Sequence, residues 1–135
     1  MKSAGFAALV MGFVLGAGAS LPAHHSFAAH YDTSTPIEIQ GVIVNVRLTN
    51  PHSWFYLDVE EPDGSTSRWA FEAGTPSGMI RNGYKASELS PGTRVTITGF
   101  PSRDENQKVG MLRQLKTADG RTFGMFGPQE GPGAR

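Results

Sequence analysis

The sequence contains no cysteine. A disulfide framework, a thiolate metal site, a cysteine nucleophile and a lipid anchor on cysteine are therefore excluded. Neither charge is in surplus, since 12 Lys and Arg face 12 Asp and Glu. No net field draws the chain to nucleic acid or to acidic lipid. Beyond its first residues the chain has no apolar run near the roughly 20 residues that a membrane-spanning helix needs. No serine sits in a Gly-x-Ser-x-Gly elbow. The glycines mark turns and form no phosphate-cradling loop. Glu60, Glu61 and Glu72 do not read as a catalytic pair, because adjacent strand residues point to opposite faces. Arg68 and Arg81 read as surface partners. The chain thus reads as non-enzymatic. Its 135 residues allow one domain, and a hydrophobic content of 39 % is ordinary for a globular one.

The first residues follow a secretory order. Lys2 supplies the positive start, Phe6 to Leu15 the apolar core, and Gly16 to Ser20 the small residues. The glycines and Pro22 argue against an uncleaved anchor helix. Two cleavage points compete. Ala17-Gly18-Ala19 has the small-x-small form, whereas cleavage after Ala23 makes His24 the first mature residue. The expected organisation is a signal peptide over 1–23, a β domain over 24–126 and a disordered Gly/Pro-rich tail over 127–135.

The mature chain reads as strands separated by turns. Ile37 to Val46 is β-branched and long, with Gly41 where the alternation changes phase, so a bend is expected there. Ile37 and Ile39 point one way and Val42, Val44 and Val46 the other. Ser53 to Glu60 alternates, with Phe55, Leu57 and Val59 on one face and Trp54 and Tyr56 on the other. Pro62-Asp63-Gly64 predicts a hairpin into Arg68–Glu72. A short helix is expected over Ser77–Tyr84, then strands over Arg94–Phe100 and Gly110–Thr117, and a last segment over Thr122–Met125. Three strands, a short helix and two or three more strands match a small five-stranded Greek-key barrel of the oligonucleotide/oligosaccharide-binding (OB) type. A β-sandwich is the alternative.

Three of the four histidines, His24, His25 and His30, cluster near the mature start, and His52 follows Asn50-Pro51. Neutral imidazole is a common ligand for zinc and copper. A terminal His24 would offer an amine and an imidazole together, with His25 or His52 completing a nitrogen set and Asp32 close by in sequence. His24, His25 and His52 are therefore the candidate metal ligands, for Cu(II) or Zn(II). The competing reading is a solvated terminus, with His52 hydrogen-bonded inside its loop. Trp54 and Tyr56 form a candidate stacking surface unless the N-terminal segment covers them through Phe27 and Tyr31.

Several motifs carry a resemblance. His24-His25-Ser26-Phe27-Ala28-Ala29, Asn50-Pro51-His52, Trp69-x-Phe71-Glu72, Arg81-x-Gly83-Tyr84, Gly99-x-Pro101 and Asp119-Gly120-Arg121 together resemble a domain-of-unknown-function family of small exported bacterial proteins. The likeness runs from His24 to about Phe123. Its specific parts are the opening His-His-Ser-Phe and the Asn-Pro-His. Tyr84 stands where the family pattern usually has tryptophan. The resemblance implies export and a small β-barrel, and it implies no activity.

The combined expectation is an all-β, OB-like barrel in the periplasm that binds a ligand without catalysing a reaction. Its expected partner is a metal ion or another envelope protein, with no nucleic acid and no membrane span after signal cleavage. A copper-dependent redox enzyme, or an interaction module docking through Trp54 and Tyr56, are the alternatives.

Overall fold

The computed structural model describes residues 27–123. The expected signal peptide, His24, His25 and the expected tail over 127–135 lie outside the described residues. The elements are α1 (Phe27–His30), β1 (Ile37–Arg47), β2 (Trp54–Glu60), β3 (Thr66–Glu72), α2 (Pro76–Arg81), β4 (Arg94–Pro101), β5 (Val109–Thr117) and β6 (Thr122–Phe123). Among the described residues no helix is long and apolar enough to cross a membrane.

The strands run in the order β3-β2-β1-β4-β5-β6, and β3 also pairs with β5. That second pairing is parallel and short: Ala70↔Val109, Phe71↔Gly110 and Glu72↔Met111. It closes five strands into a barrel of the OB type, as the element order implied.

β1 makes the closure possible by serving both walls. Ile37 to Val42 pair with β4, while Val42 to Arg47 pair with β2. The change of partner falls beside Gly41, where the bend was expected, but the change of phase comes later. A bulge interrupts the β1–β2 register between Ile43 and Asn45. Hence Ile37, Ile39 and fully buried Ile43 face the core before the bulge, and Val46 packs against it afterwards. The extra residue of a bulge reverses the inward and outward sets. Gly41 has no positive φ, and its role is close approach. A Cβ there would stand 2.7 Å from the carbonyl oxygen of Asp58.

Phe55, Leu57, Phe71, Ile97, Leu112 and Leu115 fill the barrel and are fully buried. The alternation read in the second strand is the alternation observed. α2 begins at a Thr75 cap, whose Oγ1 accepts from the Gly78 amide at 3.1 Å, a normal helix start. It adds Met79 to the core, followed by Tyr84 and Leu89 from the next loop. Tyr84 meets Phe55 edge-on at 6.2 Å. An aromatic ring suits this position against the Phe55 face.

Candidate functional site

The strand register builds the site. Trp54 and Glu72 are direct cross-strand partners on the outer face of β2 and β3. The pairing continues one step past the strand ends: the Ser53 amide donates to Gly74 and the Ala73 amide to Ser53. His52, two residues before Trp54, therefore shares Trp54's face and lies diagonal to Glu72. The Asn50–Pro51 peptide bond just before it is cis. His52 Nδ1 meets Glu72 Oε1 in a close contact. The other carboxylate oxygen, Oε2, accepts from the Tyr31 hydroxyl.

Tyr31 belongs to the N-terminal segment, which lies along the β4–β5 loop. The Arg103 amide donates to the His30 carbonyl at 2.9 Å and the Asp32 amide to Pro101 at 2.9 Å. Arg103 Nε donates to the Ala28 carbonyl at 2.7 Å, and Tyr31 pairs with Ser102 as an isolated bridge. The Phe27 ring packs 5.5 Å from the His52 imidazole and 6.5 Å from Tyr31. One carboxylate thus ties the β1–β2 loop to the N-terminal segment.

These elements enclose an open pocket of about 650 Å³. Its walls come from the N-terminal segment (Phe27, His30, Tyr31), the β1–β2 loop (Pro51, His52), the outer strand face (Trp54, Glu72) and the β4–β5 loop (Ser102, Arg103, Asp104, Gln107). The outer face of strands two and three, with the loops after strands one and four, is where OB barrels take ligands.

The sequence-predicted residues divide. His52 and Trp54 line the pocket, and Trp54 is half-buried and shares the lining with Phe27 and Tyr31. Tyr56 lies on the same strand face, opposite Ala70, and is not part of the lining. His24 and His25 fall outside the described residues, and among the described residues no group of three His, Asp and Glu is placed to hold a metal. The structure adds Glu72, which sequence reasoning left without a partner, and Arg103. Glu72's signal lay in two motifs read separately, Asn50-Pro51-His52 and Trp69-x-Phe71-Glu72, which the hairpin register brings together.

Burial and the adjacent Glu72 carboxylate push the Tyr31 phenol well above its ordinary 10.0. A group whose folded pKa is raised contributes stability that is complete below its unfolded value and is lost as pH rises toward the folded one. Stability should therefore decline once the pH passes about 10, and Tyr84, also raised by burial, adds in the same direction. Denaturant melts between pH 8 and 11 should show a shallower alkaline decline for Tyr31→Phe than for the wild type. Equal slopes would mean that the phenol is not held against Glu72.

No curated protein matches the chain. A family model of unknown function, DUF6152, matches residues 12–111. That span covers β1 to β4, the His52–Glu72–Tyr31 cluster and the start of β5, and the chain belongs to this family.

Proposed function

We propose that the protein is an exported, non-catalytic binding module whose pocket holds a transition metal through histidine nitrogens, with His52 at the centre. The observation that carries this is the contact between His52 Nδ1 and Glu72. Metal-ligating histidines usually hand the second ring N–H to a carboxylate, which fixes the ring and its tautomer. Here that arrangement directs Nδ1–H to Glu72 and leaves Nε2 without a partner among the described residues.

The chain just before Phe27 supports the same reading. Phe27 packs on His52, and His25 and His24 stand only two and three residues before Phe27 in the sequence. Cu(II) fits an all-nitrogen set better than Zn(II). The charged start, apolar core and small residues of the leader support export to the periplasm.

The test is calorimetric titration of Cu(II) into protein recovered after export, with its N-terminus established by mass. His52→Ala and His25→Ala should each lower the affinity at least tenfold. One extra residue before His24 should lower it as well, if the terminal amine is a ligand. Affinity should fall with acidification, because protonated imidazole does not ligate. An affinity equal to that of a free His-His peptide, unchanged by His52→Ala, would end the metal reading.

A further inference from the structure

The pocket is far larger than an ion requires. It measures about 650 Å³, whereas a water molecule takes about 30 Å³ of liquid. Clefts of roughly 300–1,000 Å³ hold organic ligands.

Its wall is mostly apolar, with Phe27, Pro51, Trp54 and Val109 contributing. Its polar groups are largely engaged already. Glu72 serves Tyr31 and His52, and Asp104 serves Asn106 and Gln107. A sugar or a peptide needs many free polar partners. This pocket offers few, the His30 imidazole among them, and two others stand out. One is His52 Nε2. The other is the Arg103 guanidinium, which the Ala28 carbonyl holds through Nε at 2.7 Å. Arg103 makes no ion pair among the described residues, although Asp32 lies close enough to feel its charge.

We propose that the occupant is a metal already held in a flat, largely apolar macrocycle with peripheral carboxylates, a metalloporphyrin. His52 Nε2 is its axial ligand, and Arg103 binds a carboxylate at the rim. The inference rests on His52 being a metal ligand and departs from the bare-ion reading in the form in which the metal arrives. Protein-held porphyrin iron commonly takes an axial imidazole whose environment sets its properties. With no cysteine in the chain, thioether attachment through a cysteine is excluded.

The probe is ferric haemin, titrated into the purified protein and followed by its Soret band. The expected result is saturable binding of one haemin per chain with an imidazole-ligated spectrum. His52→Ala should remove the axial signature and lower affinity at least tenfold, and added free imidazole should restore the signature. Arg103→Glu should weaken binding severalfold with the spectrum unchanged. His30 lines the same pocket and is the competing imidazole: loss of the axial signature in His30→Ala, with the signature kept in His52→Ala, would overturn the assignment to His52. The inference also falls if haemin gives no saturable Soret shift, or if His52→Ala binds it as the wild type does. Cu(II) binding that depends on His52, with no haemin binding, would leave the bare-ion reading standing alone. Failure of both titrations would remove both.

Discussion

Gly99→Ala is expected to cost about 3 kcal/mol or more, at the top of the range for overpacking a closed core. An added Cβ would stand 2.2 Å from the carbonyl oxygen of Met111 and 3.2 Å from its carbonyl carbon. Both are backbone atoms, so no side-chain rotation relieves the clash. The register between β4 and β5 shifts between Thr98 and Gly99, and the two chains approach closely at this irregularity. An alanine must separate them, and Ile97, Leu112 and Leu115 on either side then lose contact. Gly41→Ala meets a backbone oxygen too, but at 2.7 Å, and should cost less. Against a typical total stability of about 5–15 kcal/mol, the first change is severe. Urea melts of both variants order the two effects. A Gly99→Ala protein as stable as the wild type would show that β4 and β5 do not approach this closely.

Phe71→Ala is expected to lower stability by about 3–5 kcal/mol, the usual cost of removing a buried ring. Phe71 is fully buried and stacks on Trp69 at 5.6 Å. It is also the register partner of Gly110 across the parallel closure. A Cβ on Gly110 would meet the Phe71 ring at 2.8 Å, so the bare backbone of one strand makes room for the ring of the other. The two positions should therefore couple. Gly110→Ala should be less damaging in the Phe71→Ala background than alone, since the clashing ring is gone. Additive losses in a double-mutant cycle would refute that coupling. Glu72 is the next residue along β3, so Phe71→Ala should also loosen the hold on His52.

Local chemistry made most of the barrel legible. The alternation of Phe55, Leu57 and Val59 named a core face, and Pro62-Asp63-Gly64 named a turn that uses Gly64 at φ 82°. Thr75 and Ser77 marked the region of the helix start. The phase change in β1 was readable as a fact but not in its place. The bulge follows Ile43, where β-branched residues run on with no local mark, and only the β2 register reveals it. The N-terminal segment read as irregular because α1 is four residues long, and besides its one turn from the Tyr31 amide to the Phe27 carbonyl it is held by bonds to the β4–β5 loop. Glu72 was missed for a similar reason, since its partner Tyr31 stands 41 residues away. His52 was singled out by residue type, yet its orientation depends on a carboxylate that only hairpin pairing supplies. The glycine of Gly99-x-Pro101 carried little weight as a motif, and the backbone contact with Met111 supplies its physical reason.

The barrel is fastened like a hoop with a small clasp, for β3 and β5 meet over only three residue pairs. Glu72 stands on one side of that clasp and Val109 on the other, and both line the pocket. Whatever occupies the pocket bridges the join. By mass action an occupant at a hundredfold excess over its dissociation constant adds about 2.7 kcal/mol to the folded state, and here that gain falls where the hoop is thinnest. Emptying the pocket would relax the clasp first and leave the β1–β2 and β1–β4 ladders in place.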